Sequence, residues 1–394
     1  MRHCVSVPEC GCAAQSTERA QGGDDTGAGT AALRWSGRVD CDDRGMTAPS
    51  NAPSRPRLSD LGVPTGAFER GAENAITDVP GVRVGHSTVR SADLNTGVTA
   101  IVPDVLGASR RRLPAGLAVG NGYGKLVGVT QLRELGAIET PVLLTSTLSV
   151  FRVADALLTQ LLAAPEHEHT TTLNPVVGET NDGYLSDIRR RAVGDTEVAE
   201  ALRSASSGPV AEGAVGAGAG TVALGFKGGI GTASRLVTVG DTACTVGALV
   251  QTNFSGLLRI AGVPMPAAEM LAADPVEPIG NSCMIVVATD APVDGRQLGR
   301  VANRAVFAMR GVGADYAQGS GDYAIAFTVH DPSEEAVAPD DELSPLFAAT
   351  MDAVEEALIN SVLRAETRTG PEARTAHQIP VDAVRERLVR AGVI

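Results

Sequence analysis

The apolar run Met284 to Ala288 constrains the fold most, because its length and β-branched content are typical of a buried strand. Gly280-Asn281 gives a turn signal directly before it, and Ala291-Pro292 ends the segment. Ser282 therefore stands at the mouth of a predicted strand, where the sheet behind it can hold a hydroxyl rigidly. On these residues alone, an ordinary core strand that begins with a serine is the simpler interpretation.

The amino-acid composition limits the classes of partner that the chain can be expected to bind. The 394-residue chain is 43% hydrophobic and 20% charged, which is enough for a large core, and its net charge of −13 argues against nucleic acid or an anionic membrane. Its 45 glycines and 3% aromatic residues favour close-packed layers around a small-molecule site over a base-stacking surface. No apolar window predicts a membrane helix and the start lacks a signal-peptide core, so a cytoplasmic location is expected.

Residues 1–57 are predicted to form a disordered N-terminal extension, and residues 58–394 a single domain. The extension is rich in Gly, Ala, Ser, Asp and Arg without periodicity, so it cannot bury enough apolar area to order itself. It includes Met46, an alternative start. Cys10-Gly11-Cys12 with His3 fits no common zinc spacing, so neither a metal nor a cofactor is expected.

Strands in runs with intervening helices predict an α+β layered fold rather than a regular βαβ alternation. Periodicity predicts helices at Leu126 to Leu135, Ser149 to Leu162, Thr196 to Ser206, Gly295 to Met309, Leu343 to Ala365 and Val381 to Ala391. Strands are predicted at Gly97 to Pro103, Pro141 to Thr145, Arg235 to Val239, Cys244 to Thr252, Leu257 to Val263 and Tyr323 to Val329. The glycine-dense stretch Gly213 to Gly231 lacks the dinucleotide-loop spacing and predicts close packing instead.

The usual hydrolase and phosphate motifs do not occur in the chain: G-x-S-x-G, H-E-x-x-H and G-x-x-x-x-G-K-[ST]. One nucleophile arrangement needs no histidine, because a serine at a chain terminus can use its own α-amine as base. That amine has an unperturbed pKa of ~7.7–8.0, which suits proton transfer near neutral pH. Such a terminus inside a chain requires a self-cut before the nucleophile, and Gly280-Asn281-Ser282 fits that need.

Several long motifs, in order, resemble the DmpA / β-peptidyl aminopeptidase family (peptidase family S58) of self-processing N-terminal-serine hydrolases. The motifs are Asn281 to Pro292, Gly319 to Phe327, Val177 to Tyr184, Asn121 to Gly124, Thr145 to Val150, Gly225 to Gly231 and Val250 to Phe254. The resemblance spans about Leu58 to Ala365. It implies an αββα four-layer sandwich, as in the ornithine acetyltransferases and similar to N-terminal-nucleophile hydrolases.

The same resemblance implies a cut between Asn281 and Ser282, which gives a large chain ending at residue 281 and a small chain of residues 282–394. The implied roles are nucleophile and α-amine base for Ser282, assisting and orienting groups for Ser320 and Asp322, oxyanion donor for Asn253, and a position by the site for Tyr184. Two features depart from the family: many members have Gly where Asn281 stands, and some have Glu where Asp322 stands.

Structural roles remain open for three of these residues: Asn253 as the end of a strand, Asp322 as a turn residue and Tyr184 as a core residue. Glu134, Asn181 and Asp182 are expected to be structural.

The predicted function is an aminopeptidase/amidase that hydrolyses N-terminal amino-acid amides, esters or short peptides through an acyl-enzyme on Ser282. Its partners would be these small substrates and further copies of itself, a tetramer of processed heterodimers, without nucleic acid or membrane. One alternative is an acyltransferase of the ornithine-acetyltransferase type, although those carry a threonine nucleophile. The other is a binding protein on the same scaffold that is never processed.

Overall fold

The computed structural model describes residues 55–107, 111–276, 281–331 and 336–394. The predicted extension, with Met46 and Cys10-Gly11-Cys12, falls outside these residues except for its last three. Arg55 donates to the carbonyl oxygens of Leu363 and Ile379 at 2.7 and 2.6 Å, and Arg57 pairs with Glu212 at 2.9 Å. Order therefore extends at least three residues before the predicted boundary at Leu58, because these arginines are bound by the body of the protein.

The first sheet has four strands in the order β1-β2-β5-β6. They are β1 (Val82–Arg90), β2 (Asn95–Pro103), β5 (Val142–Ser146) and β6 (Val176–Thr180). Helices α2 (Val150–Leu162) and α3 (Asp195–Ser204) cover its outer face. They pack there through an apolar cluster that includes Val98, Leu143, Val153, Leu157 and Val198.

The second sheet has six strands in the order β4-β3-β14-β13-β10-β9. They are β4 (Ala137–Ile138), β3 (Leu113–Gly122), β14 (Gly321–Thr328), β13 (Ser282–Thr289), β10 (Thr242–Asn253) and β9 (Ile230–Val239). Helices α5 (Gly295–Gly311) and α6 (Ser344–Leu363) cover its outer face. Strand β13 is parallel to β14, antiparallel to β10 and buried along its whole length.

The inner faces of the two sheets form one apolar layer, in which Leu144 and Val176 of the first sheet join Met284, Val286 and Phe327 of the second. The layers thus run helices, sheet, sheet, helices, which confirms the predicted αββα sandwich. Along β13 the even-numbered side chains face this layer and the odd-numbered ones face α5 and α6, as strand periodicity requires. Ser282 therefore points between the two sheets.

The remaining elements are short. They are α1 (Val129–Leu135), α4 (Ala267–Met270), α7 (Val381–Arg390) and the pairs β7 (Val222–Ala223) with β8 (Phe226–Lys227), β11 (Arg259–Ile260) with β12 (Val263–Pro264), and β15 (Arg368–Thr369) with β16 (Thr375–Ala376). The prediction of one strand from Leu257 to Val263 is wrong. Ala261 and Gly262 have φ of 48° and 77°, and this left-handed turn folds the segment into a hairpin.

All six predicted helices are present, with ends that differ from the prediction by at most three residues. The glycine-dense stretch packs closely, as expected: a Cβ on Gly231 would lie 2.0 Å from the carbonyl oxygen of Ala357 in α6. In the described part of the chain, none of the helices combines the length and apolarity that a membrane crossing requires.

Candidate active site

Ser282 is the first residue of β13 and is only 3% exposed. Its Oγ accepts a hydrogen bond at 3.1 Å from the backbone N–H of Asn181, which follows β6 in the other sheet. The hydroxyl is therefore held where the two sheets meet, oriented by a main-chain donor.

The contact from Asn181 was missed at the sequence level. Asn181 was expected to be structural, and its side chain fits that expectation because its Oδ1 accepts from Gly183 N–H at 2.9 Å. Its N–H, however, touches the candidate nucleophile. A main-chain donor is independent of residue type, so only the position of Asn181 within the Val177 to Tyr184 motif could have suggested it.

Asn253 ends β10 and lies directly opposite Ser282 in the strand register. It is 1% exposed, and its Oδ1 accepts from Val222 N–H at 3.0 Å. Because the oxygen is engaged in this bond, the amino group is the donor end of the side chain. Asn253 thus ends a strand, as its structural interpretation expects, and it also places an amide beside Ser282, the candidate nucleophile.

Ser320 and Asp322 form a buried pair on the other side of Ser282. Ser320 Oγ donates to Asp322 Oδ1 at 2.7 Å, and the two residues are 1% and 0% exposed. The register places Gly321 opposite Ser282 and Asp322 opposite Cys283. The Asp322 side chain therefore shares the helix-facing side with Cys283 and lies beside the main chain at the start of β13, whereas the Ser282 hydroxyl points to the inner face.

Burial raises the pKa of Asp322 from 3.8 to about 6; the hydrogen bond from Ser320 opposes this shift and the charge of Asp315 adds to it. The second carboxyl oxygen, Oδ2, is buried without a hydrogen-bond partner among the described residues. A buried acceptor in this condition is costly, and a proton or an ammonium group would satisfy it.

Asn121 fixes the loop that carries Ser320. Its Nδ2 donates to the carbonyl oxygens of Ala317, Gln318 and Ser320 at 3.2, 2.9 and 2.6 Å. The N–H of Tyr123 also donates to the Ser320 carbonyl at 3.0 Å. The sequence predicts no role in the site for the Asn121 motif. In the structure, Asn121 holds the loop that leads into β14.

Tyr184 is half-buried in a separate cluster with Leu185, Val222 and Ala376. The guanidinium carbon of Arg374 lies 5.7 Å from the centre of its ring. Val222 connects this cluster to the site, because its N–H donates to Asn253. The structure therefore places Asn253 opposite Ser282 and the Ser320–Asp322 pair beside the Ser282 main chain, on the other face of the sheet. It connects Tyr184 to Asn253 only through Val222.

Two buried carboxyl groups, Glu179 and Asp182, flank Asn181. Burial raises the pKa of Asp182 to about 6, against hydrogen bonds from Thr96 and Ser146. Burial also raises the pKa of Glu179, against Lys125, whose N–H donates to Oε1 at 2.9 Å. Asp182 accepts from Ser146 Oγ at 2.8 Å and so ties the turn after β6 to β5, which agrees with its expected structural role.

No group of three or more His, Cys, Asp or Glu side chains suited to a metal ion occurs within the described ranges. The site thus offers a buried hydroxyl, an amide donor and a carboxyl with a raised pKa. These are the components of acyl transfer to a serine.

The sequence profile of peptidase family S58 matches residues 74–376. A β-peptidyl aminopeptidase BapA from Sphingosinicella xenopeptidilytica is 40% identical over 373 residues, which cover 85% of this chain and 91% of the relative.

Two solved structures extend this similarity to the fold. The Burkholderia sp. β-aminopeptidase is 38% identical with a TM-score of 0.78, and the match covers 85% of this chain and 99% of that one. The L-aminopeptidase D-Ala-esterase/amidase from Ochrobactrum anthropi is 34% identical with a TM-score of 0.77, over 86% of this chain and 99% of that one. The latter is described as a prototype for the serine aminopeptidases and a variant of the Ntn hydrolase fold.

Proposed function

Because the chain belongs to peptidase family S58, we propose that it hydrolyses N-terminal amino-acid amides, esters and short peptides through an acyl-enzyme on Ser282, after cutting itself between Asn281 and Ser282. The chain is a serine aminopeptidase with an Ntn-type fold. One observation carries the proposed mechanism: Ser282, whose hydroxyl is buried, begins a central strand, with Asn253 opposite it and the Ser320–Asp322 pair beside it.

The proposed self-cut creates the catalytic base. In the uncleaved chain the Ser282 nitrogen is an amide nitrogen, which cannot accept a proton near neutral pH. Ser282 Oγ attacks the carbonyl carbon of Asn281, the C–N bond breaks, and the hydroxyl proton ends on the Ser282 nitrogen. Water then hydrolyses the resulting ester, which leaves a carboxylate on Asn281 and restores the hydroxyl next to a new α-amine.

In turnover, the α-amine takes the proton from Oγ as Oγ attacks the substrate carbonyl. The Asn253 amide donates to the developing oxyanion, an interaction typically worth ~2.7–4 kcal/mol. The leaving amine departs with a proton, and water releases the acyl group from Ser282. Asp322, held by Ser320 beside the start of β13, has the position and the unfilled oxygen to hold the new ammonium.

The proposed domain organisation is one αββα hydrolase domain that includes Arg55 and extends to residue 394, somewhat longer than the predicted 58–394, and it is built from the large chain to residue 281 and the small chain 282–394. We further propose that cleaved pairs assemble as a homo-oligomer, a tetramer as the family resemblance implies. Light scattering of the purified protein tests the assembly, and a monomeric mass would contradict it.

Denaturing electrophoresis with N-terminal sequencing tests the proposed function. Wild-type protein is expected to give two chains, the smaller beginning at Ser282, and to hydrolyse a panel of aminoacyl amides and p-nitroanilides. Ser282→Ala is expected to give a single chain without amidase activity.

Retained amidase turnover in Ser282→Ala would refute the assignment. A stable intact wild-type mass would support the unprocessed binding protein. Acetyl transfer between amino acids that exceeds peptide hydrolysis would support the acyltransferase.

A further inference from the structure

We propose that Ser255 and Asp315 are positioning residues for the self-cut, which act by clamping the side chain of Asn281 in the uncleaved chain. This inference rests on the cut proposed above. Ser255 and Asp315 do not contact the Ser282 hydroxyl directly, and they would act through the side chain of Asn281, the residue before the cut.

The clamp holds Asn281 at two points. Its Nδ2 donates to Ser255 Oγ at 2.7 Å, and Ser255 Oγ in turn lies 2.9 Å from both carboxyl oxygens of Asp315. Its main-chain carbonyl oxygen accepts from Gly321 N–H at 3.1 Å. The side chain and the carbonyl of the residue before the scissile bond are thus fixed together.

Both anchors are held by further contacts. The segment that follows β10 pairs with residues 312–315: Leu257 N–H donates to Gly313 O at 3.1 Å, and a bridge joins Gly256 to Ala314. Ala317 N–H donates to Asp315 Oδ1 at 3.2 Å, which ties the carboxylate to the loop that ends in Gly321. One loop, residues 315–321, therefore serves both points of the clamp: Asp315 holds Ser255, and Gly321 binds the Asn281 carbonyl.

One polar atom of the Asn281 side chain is left unpaired by the clamp. Asn281 Oδ1 is buried without a hydrogen-bond partner among the described residues. The amide is thus held through its nitrogen while its oxygen stays unsatisfied, an arrangement that disfavours the uncleaved state. Breaking the C–N bond lets residue 281 move and hydrate this oxygen.

The clamp acts on the cut itself. Attack by Ser282 Oγ needs the Asn281 carbonyl carbon held within reach, and fixing the side chain on Ser255 limits rotation about the adjoining bonds. As the carbonyl becomes tetrahedral, its oxygen gains negative charge that the Gly321 N–H stabilises. A substrate in turnover does not carry the Asn281 side chain, so the contact with Ser255 belongs to the uncleaved chain.

The experiment follows cleavage over time after cell-free synthesis of the full chain, by electrophoresis. Ser255→Ala is expected to slow the cut about tenfold, the effect of losing one hydrogen bond and leaving its donor unpaired. Ser255→Thr, which keeps the hydroxyl, restores most of the rate. Ser204→Ala on the distant helix α3 is the matched control for loss of a serine hydroxyl.

A double mutant separates the clamp from general damage. Asn281→Ala and Ser255→Ala remove the same hydrogen bond, so the double variant is expected to cut no more slowly than the slower single variant. Asp315→Asn keeps a partner for Ser255 but removes the charge, and a smaller slowing is expected, with Asp155→Asn as its exposed control.

Three outcomes would overturn the clamp: an unchanged cutting rate in Ser255→Ala, multiplicative effects in the double variant, or an equal loss in turnover per cleaved chain. The two proposals fail separately. A wild-type chain that never cuts refutes the proposed processing, whereas a wild-type chain that cuts at the same rate as Ser255→Ala refutes the clamp alone.

Discussion

Removal of the Asn253 amide should separate turnover from self-cutting. Asn253 lies opposite Ser282 and its amino group is the proposed donor to the substrate oxyanion, whereas the Asn281 carbonyl already accepts from Gly321 N–H. Loss of one oxyanion donor typically costs ~2.7–4 kcal/mol, so Asn253→Ala should lower kcat about 10²–10³-fold. The self-cut should slow much less, because its carbonyl has a different donor.

The structure also sets the cost to stability. Asn253→Ala leaves the buried Val222 N–H without the acceptor it meets at 3.0 Å, which should cost ~1–3 kcal/mol of unfolding free energy. Asn253→Asp is the matched variant, since it keeps an oxygen for Val222 and removes the amide donor. Both variants should therefore lose turnover, and only the alanine should leave Val222 unpaired.

The assay is kcat on an aminoacyl p-nitroanilide, normalised to the fraction of cleaved chain, with urea unfolding in parallel. A folded, cleaved Asn253→Ala protein with kcat close to wild type would refute the oxyanion role. Equal losses in cutting and turnover would refute the separation of the two donors.

Two further predictions concern buried charge. Arg235→Met breaks the buried ion pair with Glu356 and should lower the free energy of urea unfolding by about 3 kcal/mol. This is the low end for a buried pair, because Arg70 also binds Glu356. The control Arg296→Met breaks an exposed pair with Asp340 and should cost ~0–1 kcal/mol, so equal costs would contradict the prediction. The second prediction concerns Asp322 in uncleaved Ser282→Ala protein, where its raised pKa means that the protonated carboxyl favours the folded state. The free energy of unfolding, measured relative to the same protein with Asp322→Asn added, should therefore fall by up to roughly 3 kcal/mol as the pH rises from 4 through about 6. A difference between the two proteins that does not change with pH would contradict this.

Much of the architecture could be predicted from local pattern. The helix faces and the apolar run of β13 carry their own periodicity, and a turn signal marks the start of that strand. The hairpin at Ala261-Gly262 was missed because its one glycine stands inside an apolar stretch that reads as a single strand. Its turn depends on a positive φ at Ala261, and alanine gives no sequence signal for this conformation.

The site was less accessible to sequence because its geometry comes from register. Local pattern could not show that the Asp322 side chain and the Ser282 hydroxyl lie on opposite faces of one sheet, since this follows from pairing Asp322 with Cys283. Arg235 similarly looks like an exposed residue in a strand, yet it is fully buried against Glu356, a partner 121 positions away. Long-range pairing of this kind leaves no local signal.

The position of β13 and β14 in the sheet determines how the proposed cut would affect refolding. These strands of the small chain lie in the middle of the six-stranded sheet, with β3 and β4 on one side and β10 and β9 on the other, all from the large chain. Neither product of the proposed cut could therefore keep a complete sheet alone, and the two chains would remain interleaved in this sheet. Folding of the uncleaved chain is unimolecular, but refolding of the cleaved protein would need two chains to meet, so its yield would depend on concentration. Maturation at Ser282 would thus convert a structure that can be regained after unfolding into one that dilution makes hard to rebuild.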